Sequence, residues 1–116
     1  MKSHVDGQFI REVEKEFNRN YSFLKIEFAK NAAGKSADTG YDGANNHILR
    51  SRATQLLQNE IGLNDAMKVS ELEAALQSVV ACQVQVFRKS GNSWIETKMT
   101  RGWTLKQQND HGRELI

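Results

Sequence analysis

From Gly7 to Asn18 the apolar residues Phe9, Ile10, Val13 and Phe17 recur at helical spacing, while Arg11, Glu12, Lys15 and Glu16 take the opposite face. The spacing predicts an amphipathic first helix with Asp6 as its N-cap. Asn18 or Asn20 can end it, because Asn tolerates left-handed backbone angles. The period then drops to two. In Tyr21–Phe28, Leu24, Ile26 and Phe28 share one face and Tyr21, Phe23, Lys25 and Glu27 the other, the pattern of a half-buried strand. Helical spacing returns over 47–58, where Leu49, Ala53, Leu56 and Leu57 follow a cap at Asn45 or Asn46. Asn59–Leu63 reads as a short, weak strand and Asn64–Ala66 as a turn.

Ser70-Glu71-Leu72-Glu73 has the form of a capping box, in which hydroxyl and carboxylate each accept a backbone N–H at the other end of the motif. It opens a helix whose Leu72, Ala75, Leu76, Val79 and Val80 form one stripe. Residues 84–97 then read as a β-hairpin, two runs rich in β-branched and aromatic residues around a polar turn containing Gly91. Val84 and Val86 alternate there with Gln83, Gln85 and Phe87. Thr104–Gln107 is a second capping box, and Gly112 suits the residue just past a short last helix.

Between the first strand and the second helix the apolar periodicity vanishes. Gly34, Gly40 and Gly43, set among Ser, Asp and Asn, predict a flexible loop at about 30–46. Loops of this length inside a domain are either functional or disordered, and with so little to pack, disorder is the favoured reading. The order α-β-α-β-α-β-β-α predicts one α+β domain over 1–116. It would hold a small mixed or antiparallel sheet of about four strands with helices packed on one face.

Composition limits the function classes. With 116 residues, 39% of them hydrophobic, the chain can build one core without a disulfide framework or structural metal. No apolar run approaches the ~20 residues needed to cross a bilayer, and Met1–Asp6 lacks the apolar stretch of a secretory signal. No membrane association is expected, and the compartment expected is the cytoplasm. Cys82, the only cysteine, cannot pair internally, and by its alternation with Val84 and Val86 it reads as a small core residue. The net charge of +2 is uninformative, but it is unevenly spread: residues 60–79 carry −3 and residues 80–106 carry +4. Such asymmetry can mark a binding face, although a solvated surface is the commoner cause.

Several site motifs fail on inspection. Ala29–Ser36 has the spacing of a phosphate-binding loop, but Ala29 replaces the first glycine and no helix-forming sequence follows. Asp38–Gly43 partly matches a calcium loop, yet Gly40 stands where an oxygen ligand is needed and Leu49 where the closing Glu belongs. His4, His47 and His111 are scattered and form no zinc pattern with Cys82. No serine sits on a strand-to-helix elbow. No catalytic residue, metal site or cofactor is therefore nominated.

The signal left is the basic, aromatic hairpin and its C-terminal neighbourhood. Phe87, Trp94 and Trp103 lie among Arg88, Lys89, Lys98 and Arg101. Aromatic faces can stack on unpaired bases while cations hold phosphates. The plainer reading is that both tryptophans complete a thin core and the cations solvate an edge strand.

The second half of the chain also resembles an uncharacterised family of small bacterial proteins. The resemblance rests on Val69-Ser70-Glu71-Leu72-Glu73, the run Val84–Gly91, Trp94, Trp103-Thr104-Leu105, Gln108-Asn109, Gly112 and Glu114. It implies a shared fold and carries no activity. This chain departs from the pattern at Ala81, where a glycine is expected, and at Arg101 and Gly102, where acids are expected.

The leading expectation is a non-enzymatic interaction module that presents the 84–97 hairpin and C-terminal helix to a macromolecule, protein rather than nucleic acid. Its candidate partner-binding residues are Arg88, Lys89, Trp94, Lys98, Arg101 and Trp103, and it requires an exposed apolar patch or open sheet edge near the hairpin. The alternatives are a single-stranded nucleic-acid-binding domain and a small enzyme with its site at a dimer interface. The sequence is compatible with a homodimer.

Overall fold

A computed structural model describes residues 7–29 and 46–114. Helix α1 (Gly7–Asn20) leads into strand β1 (Leu24–Phe28), and α2 (Asn46–Gln55) continues into a wider π-helical turn over Leu56–Ile61. Helix α3 (Val69–Val80), strands β2 (Val84–Ser90) and β3 (Ser93–Glu96), a 3₁₀ turn (Lys98–Thr100) and α4 (Leu105–Glu114) complete the order. The class is α+β. The expected loop at about 30–46 falls outside the described residues except for Asn46, which starts α2, and the phosphate-loop and calcium-loop resemblances fall largely there too.

Among the described residues the sheet has three antiparallel strands in the order β1-β2-β3, not the expected number of about four. The missing strand is Asn59–Leu63. Asn59, Glu60 and Ile61 instead belong to the π-helical turn, and Gly62, at φ 73°, takes the chain out of it. The N–H groups of Gly62 and Leu63 both reach the Leu57 carbonyl, so the helix end absorbs donors that a strand would have offered to a neighbour.

Strand pairing sets the two faces. Leu24 lies opposite Arg88, Ile26 opposite Val86 and Phe28 opposite Val84. All six side chains are buried, and the five apolar ones join Ile10, Val13 and Phe17 of α1, Leu56 and Leu57, Leu72 and Leu76 of α3, and Leu105 of α4 in one core. The other face of the sheet carries Lys25, Glu27, Gln85, Phe87, Lys89, Trp94 and Glu96, each half-buried or exposed.

Two local expectations shift. The helix after Met67 begins at Val69, and it is Glu71 whose carboxylate accepts the Lys68 N–H at 2.9 Å. The N–H groups of Val69 and Ser70 are taken by the carbonyls of Trp103 and Arg101, so Glu73 is not needed at the cap and turns inward, 5% exposed. The second capping box forms as expected: Thr104 N–H donates to Gln107 Oε1 (2.8 Å) and Gln107 N–H to Thr104 Oγ1 (3.1 Å). Gly112 lies inside α4 rather than beyond it. A Cβ there would stand 3.0 Å from Phe23 Cβ and 3.2 Å from Arg88 Cγ, so glycine lets the helix close on the sheet.

The two sides of the β2–β3 hairpin

The hairpin turns through Gly91 at φ 61° between the paired residues Ser90 and Ser93. Glycine is the residue suited to a positive φ at the first position of a two-residue turn. Because alternate side chains of a strand point to opposite faces, Arg88 and Lys89 are separated at once. Arg88 faces the core side and is only 9% exposed. Its Nη1 donates to Gln108 Oε1 at 2.8 Å, its guanidinium carbon lies 5.6 Å from the centre of the Trp103 ring, and its Nε has no hydrogen-bond partner. Gln108, fully buried, passes its Nε2 hydrogens to the carbonyl and hydroxyl of Thr100, each at 2.8 Å. This relay ties β2, the 3₁₀ turn and α4 together.

A second inward group operates where β3 runs out. Val86 would pair with a further β3 residue, but Thr97 supplies only donors: its N–H and hydroxyl reach the Val86 carbonyl at 3.3 and 2.9 Å. The Val86 N–H goes instead to Glu73 Oε2 (3.3 Å), and Glu73 Oε1 accepts Arg101 Nε at 3.0 Å. Arg101 is thus the counter-charge of a buried carboxylate. Lys98 lies 3.6 Å from Glu96 in an exposed pair.

The outward side differs. Lys89 pairs across the strands with Trp94, and its Nζ lies 5.2 Å from the indole centre. Lys25 reaches over from β1, 5.1 Å from the Trp94 ring and 5.5 Å from that of Phe87. Both rings are half-buried, with lysine ammonium groups set over them. Lys25 also pairs with Glu27 at 3.0 Å, whereas no carboxylate among the described residues pairs with Lys89.

The six sequence-nominated residues therefore do not form one cluster. Lys89 and Trp94 share the outer face; Arg88 and Trp103 share the inner side; Arg101 and Lys98 hold ion pairs. Lys25 and Phe87 complete the outer patch. Lys25 was missed because its partner in β2, Phe87, is 62 positions away in sequence, although its place on the polar face of β1 was a usable signal.

Trp103 also walls a shallow groove of about 290 Å³ with Gln107, Asp110, His111 and Glu114, and packs edge-on against His111 at 5.4 Å. Asp110 is held by Lys106 (2.9 Å) and Arg113 (3.2 Å), which lower its pKa, with the Lys106 hydrogen bond the larger cause. Cys82 is partly buried against the core, and burial, with Glu14 adding to it, pushes its thiol pKa up. A raised pKa leaves less of the nucleophilic thiolate at neutral pH. Among the described residues no group of three His, Cys, Asp or Glu side chains could hold a metal ion, and no helix is long and apolar enough to cross a membrane. Comparison of the chain with protein-family models, with curated proteins and with solved structures returns no match.

Proposed function

We propose that this chain is a non-enzymatic interaction module of the bacterial cytoplasm whose binding surface is the outer face of the sheet, centred on Trp94, and whose partner is a protein segment. The observation that carries the reading is the one-sided sheet. Its inner face is sealed by helices, while its outer face carries Phe87 and Trp94, over which, among the described residues, the ammonium groups of Lys25 and Lys89 lie. Partly exposed aromatic rings beside polar side chains are the make-up of interaction surfaces. The family resemblance of the second half belongs to the same proposal, since the run Val84–Gly91 and Trp94 build this face.

Protein is favoured over nucleic acid by charge. On the outer face Glu27 pairs with Lys25 and Glu96 with Lys98, which leaves Lys89 as one cation to meet one carboxylate and not the run of cations that a phosphate backbone needs. Arg88 and Arg101, the other cations a single-stranded nucleic acid would need, are buried or ion-paired.

Panning a displayed random-peptide library on the full chain tests the reading. The expected result is a consensus that Trp94→Ala loses and that Lys106→Ala, on α4, keeps. No consensus, or one lost equally from both variants, overturns the proposal. Salt-sensitive quenching of tryptophan fluorescence by oligothymidylate, with no peptide consensus, would replace protein by nucleic acid as the partner.

A further inference from the structure

The sheet has two edges, and they are treated differently. On β1 the backbone groups of Leu24, Ile26 and Phe28 point away from β2, because Phe23 O and Ala29 N–H are the groups that bond to it. Helix α1 closes that edge. Asn18 Nδ2 donates to Leu24 O at 2.8 Å, Glu14 Oε2 accepts Phe28 N–H at 3.1 Å, and Ile26 between them is 1% exposed. On β3 the outward groups belong to Trp94 and Glu96, since Ser90–Ser93 flank the two-residue turn and Thr97 N–H bonds to Val86 O. Among the described residues no backbone partner meets the N–H or C=O of Trp94 or Glu96, and Ile95 is left 38% exposed. A strand edge in this state is a template for another strand.

We propose that an extended acidic segment of a partner protein adds to the free edge of β3 as a fourth strand, placing a carboxylate beside Trp94 where it meets the Lys89 ammonium. The proposal rests on the interaction reading above and specifies its mode. Backbone bonds to Trp94 and Glu96 supply the docking, as in other strand additions. Side chains supply the choice. The residue set opposite Trp94 lies on the outer face, next to the Lys89 ammonium, which meets no carboxylate among the described residues. The residues beside it point to the inner side, where an apolar group covers Ile95. Glu96 does not oppose an acidic segment strongly, because Lys98 stands 3.6 Å from it.

The test uses the full chain, labelled with ¹⁵N, and two synthetic probes: acetyl-Thr-Thr-Val-Glu-Val-Thr-amide and the same peptide with Lys in place of Glu. The Glu probe is expected to slow hydrogen exchange at the Trp94 and Glu96 amides and leave Ser93 and Ile95 unchanged. It should bind about fivefold more tightly than the Lys probe, the size of an exposed attraction turned into repulsion. Lys89→Glu, a surface change whose spectrum reports that the fold is kept, should invert the preference. Overturning results are no protection of either amide at millimolar probe, equal affinity for both probes, or no inversion in Lys89→Glu. Concentration-dependent protection of the same amides without any probe would give the edge to a second copy of this chain, which also overturns the proposal. A peptide that shifts the Lys25, Phe87 and Trp94 side-chain signals without protecting the edge would sink the strand addition and leave the interaction reading standing.

Discussion

Arg88 and Lys89 are adjacent cations in one strand, and they meet opposite fates. Arg88 turns inward, stacks on Trp103 and is held by Gln108; Lys89 turns outward, lies over Trp94 and meets no acid among the described residues. The inner side of the hairpin uses its polar groups to hold the chain together at the point where β3 is too short to do so. Glu73 replaces a strand as the acceptor for Val86, Thr97 takes the Val86 carbonyl, and Gln108 bridges Arg88 to Thr100. On the outer side no such duty exists. Charge and aromatic surface that the fold does not use is what remains for a partner.

The contrast is most directly broken at Gln108. Gln108→Leu keeps the volume close but removes the hydrogen bond that the buried Arg88 guanidinium makes among the described residues, and it leaves the Thr100 carbonyl with the Trp103 N–H alone. Stability should fall by about 3 kcal/mol, the range for removing one partner of a buried charged group. Urea denaturation reads the change as a lower midpoint. Adding Arg88→Met to the same chain should recover a good part of the loss, since an apolar pair avoids the unpaired charge. If the double variant is no better than the single, Arg88 is not strained by losing Gln108 and the relay is incidental.

Glu73 comes next. Glu73→Ala leaves the Val86 N–H without an acceptor inside the fold and should cost about 2 kcal/mol, with faster exchange of the Val86 amide as its local signature. Arg101→Ala should cost less than about 1 kcal/mol, because the Arg101 side chain is half exposed and water can replace it at the carboxylate. An Arg101 variant as damaging as the Glu73 variant would mean that the ion pair, not the strand-end bond, is what matters.

The sequence revealed these elements unevenly, for reasons that particular residues make plain. Helices α1 and α3, strand β1, the hairpin and the Thr104–Gln107 cap are local patterns, and periodicity finds them. Ser70 and Glu73 have capping-box spacing, which points Glu73 at a cap. The actual cap is shifted because the carbonyls of Arg101 and Trp103, some 30 residues on, satisfy the α3 donors, and no local motif records that. Asn59–Leu63 alternates like a strand, but the left-handed Gly62 and the widened turn before it settle the matter differently. At the candidate site, strand parity alone was enough to part Arg88 from Lys89. The pairing that brings Lys25 to Trp94 is long-range and was not legible.

Ala81 offers a smaller test, this time of how the hairpin is launched. It ends α3 at φ 66° and ψ 35°, with its N–H on Gln77 O at 2.8 Å, in the left-handed region that a residue with a Cβ enters at a cost. Ala81→Gly should therefore stabilise the chain by about 1 kcal/mol, the relief of that strain less the extra entropy of glycine in the unfolded chain. A neutral or destabilising result in thermal unfolding would mean that the Ala81 backbone is not strained, and that the path from α3 into β2 is set by packing on both sides.

The smallest effect belongs to the outer side, and its smallness is the point. Lys89→Ala removes a half-exposed ammonium that contacts a ring and, among the described residues, no acid, so stability should change by less than about 0.5 kcal/mol. The indole should respond all the same. Losing the cation over its face changes the Trp94 environment, and removing the stem exposes more of the ring to water. Tryptophan fluorescence should move to longer wavelength while the denaturation midpoint stays in place. Trp103 also contributes to that emission, so the comparison is made in a Trp103→Phe background, where Trp94 is the only indole left. A Lys89→Ala loss as large as that of Gln108→Leu would mean that the outer lysines hold the fold as the inner groups do. The outer face would then have no unused surface to offer, and the distinction between the two sides of the hairpin would collapse.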